Sequence, residues 1–323
     1  MSTVYSTDLS RETGPDGAFV RQRSAFRDWV SADGSTGYRA EPGRYHLYVS
    51  LACPWAHRTV IVRALKGLED VISLSVVNPL RDERGWRFGS GREKGDGEPD
   101  PVNGLAFLSE AYVATDPAFD GRVTTPTLFD RERGRVVNNE SADVVRMLNT
   151  EWNAWGNASV DLYPADLRGE IEEINALVYE TVNNGVYRSG FARSQAAYQE
   201  AVYPLFDTLD QLEERLDSRR YLAGSRITEA DWRLFTTLVR FDPVYHYHFK
   251  CNVRRLEDYP NLSAYTRELY QVPGVAETVD FDHIKRHYYM THDGVNPTGI
   301  VPVGPPVDLS RPHDRDRLPA DTA

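Results

Sequence analysis

A single thiol, Cys53, stands where a sequence makes sulfur reactive, just after an extended apolar stretch and just before an amphipathic helix. Tyr45-His46-Leu47-Tyr48-Val49 alternates as a strand does, and Arg58 to Leu68 carries apolar residues at helical spacing. Cys53 therefore falls at a strand-to-helix turn. Pro54 suits the first helical position, where the missing N–H costs nothing. The unpaired amides and the dipole of a helix N-terminus favour a thiolate, the nucleophilic form of cysteine. Ala56 occupies the place where a dithiol redox motif carries its second cysteine, so a mixed disulfide on Cys53 must be resolved by an external thiol. The alternative for any unpaired cysteine is a small buried hydrophobe. Strand, Cys-Pro and helix in this order favour the nucleophile. The chain's other cysteine, Cys251, is remote in sequence, and two cysteines in 323 residues fit a reducing compartment.

Positioning that sulfur needs a scaffold, and the element order supplies one. Residues 1–44 are Gly-, Ser- and Arg-rich with isolated aromatics, Phe19, Phe26 and Trp29, and read as an extended arm packed on the body. From Tyr45 the order is strand, helix, strand (Val71 to Val77), a long insertion (Asn78 to Asp120), strand (Pro126 to Phe129), strand (Arg135 to Val137) and helix (Ser141 to Leu148). This order resembles an α/β thioredoxin-like domain over residues 45–150, with the nucleophile at the first strand-to-helix junction. Such domains place a cis proline opposite the active cysteine, and Pro126, agreeing with Cys53 upstream and Glu140-Ser141 downstream, is expected to be that residue. Beyond a Trp- and Asn-rich linker, an all-α domain is expected over residues 151–306. Its helices read as Leu167 to Asn183, Ser194 to Ser218, Thr228 to Tyr247 and Asn261 to Gln271, with Thr228 and Asp231 forming a capping box. The Pro- and Asp/Arg-rich tail, 307–323, is expected to be disordered.

Composition narrows the partners. A formal net charge of −11 disfavours nucleic acid and anionic membranes. No run approaches the length of a membrane span, and the N-terminal residues lack the charged-then-apolar pattern of a signal peptide, so a cytoplasmic protein is expected.

A thioredoxin-like half followed by an all-helical half resembles the soluble glutathione transferases, and six segments sharpen the resemblance. Cys53 to Arg58, Asn138 to Ser141, Asn183 to Tyr187, Arg240 to Tyr245, His248 to Asn252 and Asn296 to Pro302 are similar to the signature segments of glutathionyl-hydroquinone reductases, the Xi class of that family. They come in the family's order and span nearly the whole chain. The resemblance implies that Cys53 attacks the sulfur of a glutathionyl-hydroquinone, releases the hydroquinone, and is freed from the resulting mixed disulfide by a second glutathione. Glutathione, or a related γ-glutamyl thiol, is then a cosubstrate, and no tightly bound cofactor or metal is implied.

The resemblance also assigns roles. Glu140 and Ser141 would grip the γ-glutamyl end of glutathione, although a serine opening a helix can equally be a plain cap. Arg122, Val123, Thr124 and Thr125 would pair with the glutathione backbone, Arg122 taking the glycyl carboxylate. Trp86 would lie over the glutathione or, alternatively, anchor the insertion to the body. Tyr187, Tyr245 and Tyr288 match the family's phenols that hydrogen-bond the thiolate and the departing hydroquinone oxygen. Read alone, without the resemblance, Tyr187 ranks as a core residue. His57, His246 and His248 alternate with tyrosine or stand apart, without a nearby carboxylate or thiol, which argues against a metal site. Position 246 departs from the family pattern in carrying histidine.

Two other readings use the same scaffold. An omega-like thioltransferase or dehydroascorbate reductase would also need one cysteine, but the three tyrosines argue against it. A non-catalytic thiol-binding module would not need Cys53 with Pro54. Glutathione transferases generally pair, so a homodimer is expected.

Overall fold

The computed structural model describes residues 12–89 and 96–320, which fall into two compact units. The first comprises Arg21–Val160 and Glu277–Thr291. It begins with two short strands, β1 (Val30–Ser31) and β2 (Tyr38–Arg39), in the segment expected to be an arm. There follow β3 (Tyr45–Val49), α1 (Pro54–Leu65), β4 (Ser73–Val76), the hairpin β5 (Arg81–Asp82) and β6 (Gly85–Trp86), α2 (Leu108–Thr115), β7 (Thr127–Asp130), β8 (Arg135–Asn138) and α3 (Ser141–Thr150). The main sheet has the order β4-β3-β7-β8, with β3 parallel to β4 and antiparallel to β7.

Every residue of β3 is buried because both faces of the sheet are covered. On one face, Tyr48 and Phe129 join Leu108, Ala111 and Tyr112 of α2 in an apolar cluster. His46 is tolerated inside because its two ring nitrogens bond Ser73 Oγ at 2.7 Å and Ser75 Oγ at 3.0 Å. The arm residues Phe26 and Asp28 dress the β8 edge: Asp28 N donates to Val137 O, and the Phe26 ring packs edge-on to Tyr112 at 5.3 Å.

The second unit comprises Glu12–Val20, Asp161–Ala276 and the chain from His292. Its helices are α4 (Arg168–Val178), α5 (Gly185–Gly190), α6 (Gln195–Ser218), α7 (Glu229–Leu238), α8 (His246–His248) and α9 (Pro260–Tyr270). The expected capping box opens α7, with Thr228 N donating to Asp231 Oδ2 at 2.7 Å. Two π-helical turns, Tyr179–Asn183 and Phe241–Tyr245, interrupt the regular helices. In the second turn Pro243 has no amide to give, and Tyr245 N reaches back to Arg240 O at 3.3 Å.

Three boundaries differ from the sequence reading. Residues 12–20 of the expected arm belong to the helical unit. Glu277–Thr291, expected in the helical domain, instead belongs to the Cys53 unit, where it forms α10 (Phe281–Thr291). The expected disordered tail is held as far as residue 320. Its Arg315 is fully buried, bonding the carbonyls of Leu216, Arg219 and Arg220 at the end of α6 and the carboxylate of Glu268. Gln271 adds bonds to the carbonyls of Leu309 and Arg311. A polar, Pro-rich composition removes the apolar signal of order but not the bonding capacity of one guanidinium. Residues 1–11, 90–95 and 321–323 lie outside the described residues. Among the described residues no helix is long and apolar enough to cross a membrane.

Candidate active site

Cys53 is the N-cap of α1 and Pro54 its first helical residue. The Cys53 carbonyl accepts the His57 amide at 2.9 Å, and the side chain is partly exposed. Its Sγ lies 3.4 Å from the carbonyl oxygen of Thr125, to which the thiol donates, and the Thr125–Pro126 peptide is cis. The strand-to-helix turn and the cis-proline loop thus meet at the sulfur. Positive charge gathers on the same helical turn, where the guanidinium carbons of Arg21 and Arg58 lie 4.8 Å and 4.7 Å from the Trp55 ring centroid.

The loop before Pro126 is held by a residue that the sequence reading passed over. The Tyr112 hydroxyl, on α2, donates to Thr124 O at 2.9 Å and receives the Thr124 amide at 3.4 Å. Thr124 Oγ1 in turn accepts from Asn139 Nδ2 at 3.0 Å. Arg122 is partly exposed and its amide donates to Gln22 Oε1 at 3.1 Å, while Val123 is buried. Gln22 carries no periodic signal in the sequence. The apolar spacing of Leu108, Ala111 and Tyr112 was the available clue to α2.

Glu140, rather than Ser141, caps α3. Its Oε1 accepts the Ala142 amide at 3.1 Å and its Oε2 accepts the Ser24 hydroxyl at 2.9 Å. Ser141 is buried at the first helical position. A partly exposed carboxylate beside helix N-terminal amides can receive an ammonium and a carboxylate side by side.

Trp86 is buried in the apolar cluster of this unit. Its ring stacks on His287 at 4.9 Å, with Arg81 5.1 Å away. Tyr288, next to His287 on α10, is buried in the same unit.

Tyr187 and Tyr245 belong to the helical unit. The two rings lie 6.1 Å apart, and each packs on Phe249, at 5.5 Å for Tyr187 and 5.6 Å for Tyr245. Tyr245 is fully buried, whereas Tyr187 is partly exposed. Gly190 makes this cluster possible, since a Cβ there would lie 2.1 Å from the Phe249 ring. Cys251 is fully buried, and burial pushes its thiol pKa up, away from reactivity.

Two of the histidines singled out in the sequence pair with neutral groups. His57 Nε2 pairs with Thr278 Oγ1 at 2.8 Å, and His248 Nε2 with His292 Nδ1 at 3.2 Å. Among the described residues one group of three ligand-type side chains comes together, Glu268, His313 and Asp316. The Glu268 carboxylate there is already bonded to Arg220 and Arg315.

With this geometry in hand, the comparisons are direct. Residues 52–151 match the family model of the glutathione S-transferase N-terminal domain, and residues 195–268 that of the C-terminal domain. The chain belongs to the glutathione transferases. It is 52% identical over 320 residues to glutathionyl-hydroquinone reductase YqjG of Escherichia coli, covering 97% of this chain and 95% of that protein. It is 56% identical over 289 residues to glutathionyl-hydroquinone reductase PcpF of Sphingobium chlorophenolicum, covering 90% of each. The glutathione-bound structure of YqjG matches with a TM-score of 0.88 at 53% identity, over 90% of this chain and 96% of that one. An Xi class glutathione transferase from Natrialba magadii matches with a TM-score of 0.90 at 50% identity, over 95% and 97%. Within the family, then, the chain is of the Xi class, the glutathionyl-hydroquinone reductases.

Proposed function

We propose that this chain reduces glutathionyl-hydroquinones to hydroquinones at the expense of glutathione, through a mixed disulfide on Cys53. The observation that carries the reading is the placement of Cys53 as N-cap of α1, partly exposed, with its sulfur on the Thr125 carbonyl ahead of cis-Pro126.

In the first step the Cys53 thiolate attacks the glutathione sulfur. An S–S bond forms, the bond from sulfur to the ring carbon breaks, and its electron pair leaves with the ring, where a proton replaces sulfur. In the second step a glutathione thiolate attacks the glutathione sulfur of the mixed disulfide, oxidised glutathione departs, and the Cys53 thiolate returns. Over the cycle one glutathione thiol and the conjugate's own sulfur are joined as oxidised glutathione, each giving up one electron, and the ring carbon takes up two, so no external electron carrier is required.

Glutathione, or a related γ-glutamyl thiol, is bound by Glu140 and Ser141 at the α3 N-terminus, by the Arg122 to Thr125 stretch and by Trp86. Electron density arriving on the ring is drawn toward its oxygens, and a phenol donor there lowers the barrier. That role falls to Tyr187, Tyr245 and Tyr288. The protein acts in the cytoplasm as a homodimer; a monomer mass by light scattering at micromolar concentration would refute the dimer.

Turnover of glutathionyl-menadiol with glutathione, wild type against Cys53→Ala, tests the reading. Loss of turnover in the variant is expected, and retained turnover would sink it.

A further inference from the structure

His287 has no role in the reaction as derived so far, yet it joins two elements that do. It sits on α10 beside Tyr288, is buried, and stacks on the Trp86 indole at 4.9 Å with 25° between the rings. Its Nδ1 lies 2.7 Å from the Pro79 carbonyl oxygen. A carbonyl only accepts, so Nδ1 carries the proton and the tautomer is fixed. Pro79 enters the β5–β6 hairpin, in which Arg81 and Trp86 are register partners. A stack alone lets rings slide, whereas a stack with an in-plane hydrogen bond fixes both the plane and the position of the imidazole. A second clasp, His57 Nε2 to Thr278 Oγ1 at 2.8 Å, ties the start of the same segment to α1.

We propose that His287 is a positioning residue for the reduction, holding the hairpin that carries Trp86 in register with the helix that carries Tyr288. The inference rests on the reading of Trp86 as a glutathione contact and Tyr288 as a hydroquinone contact. Small displacements of positioning groups are costly, because the gain from orientation is lost within about an ångström.

The test uses the full chain, with glutathionyl-menadiol as substrate and glutathione varied. His287→Phe keeps the stack and removes the donor, His287→Gln keeps a donor and removes the stack, and His287→Ala removes both. Trp86→Ala and Tyr288→Phe are run beside them. His287→Ala is expected to raise the KM for glutathione and to lower kcat, each about tenfold, with the other two variants intermediate. The iodoacetamide reactivity of Cys53 should stay within about twofold of wild type. Combining His287→Ala with Trp86→Ala should cost less than the product of the two single effects. If Trp86→Ala and Tyr288→Phe are impaired while every His287 variant matches wild type, the positioning role is wrong and the site reading stands. If Trp86→Ala and Tyr288→Phe match wild type, the site reading fails and this inference falls with it. If activity, thermal midpoint and Cys53 alkylation decline together across the three His287 variants, His287 supports the fold rather than the site, which also overturns the proposal.

Discussion

Replacing Tyr187 by phenylalanine removes one oxygen and leaves the ring where it is. That ring lies 5.5 Å from Phe249, 6.0 Å from Phe191 and 6.1 Å from Tyr245, contacts that a phenylalanine keeps. The side chain is partly exposed, so stability should change by no more than about 0.5 kcal/mol. A hydrogen bond made to the hydroquinone oxygen in the transition state is worth about 1–3 kcal/mol. At roughly 1.4 kcal/mol per factor of ten, turnover of glutathionyl-menadiol should fall about fivefold to a hundredfold. The mixed disulfide of glutathione with 2-mercaptoethanol has no phenolic leaving group, and its reduction should change by less than about twofold. Both rates are read in the same coupled assay of oxidised glutathione. Parallel loss with both substrates would mean that Tyr187 acts on the Cys53 sulfur, and no loss with either would remove it from the chemistry.

Three further outcomes follow from burial and charge. Arg315→Gln strips the α6 carbonyls and Glu268 of a buried guanidinium, which should cost about 3–5 kcal/mol; an unchanged thermal midpoint would refute the anchoring of the tail. His46 and His248 are buried, and burial lowers each pKa from 6.5 to about 4, His248 with a smaller contribution from Lys250. The folded state resists protonation that the unfolded chain accepts, so stability is fully present above pH 6.5 and is lost as pH falls toward 4, by about 3 kcal/mol per histidine. Urea midpoints that are flat across that window would contradict it. Iodoacetamide at neutral pH should label Cys53 and spare Cys251, whose burial blocks both access and ionisation; equal labelling would undo the division between the two thiols.

Much of the Cys53 unit was legible in the sequence because local signals coincide there. The alternation of Tyr45 to Val49 and Pro54 at a first helical position read correctly from neighbours alone, and the strand expected over Pro126 to Phe129 forms one residue later, at Thr127–Asp130. The family follows from six short segments, and the comparisons bear it out. What was missed depends on distant partners or on short elements. The insertion hides α2, eight residues long, and α10 is dense in histidine, tyrosine and charge, so neither shows a long apolar stripe. That Glu277–Thr291 packs in the Cys53 unit rests on contacts such as His57 with Thr278, which no periodicity encodes. Glu140 takes the cap because its carboxylate folds back onto the Ala142 amide, although serine at the next position is the more familiar signal.

The central claim is a covalent one, and intact-protein mass spectrometry tests it most directly. Protein mixed with one equivalent of glutathionyl-menadiol, without free glutathione, and quenched in acid should carry one glutathione on Cys53 and release an equal amount of menadiol. Added glutathione should then remove the adduct and yield one oxidised glutathione, and Cys53→Ser should form no adduct. Menadiol release with unmodified Cys53, or an adduct located on Cys251, would contradict the account.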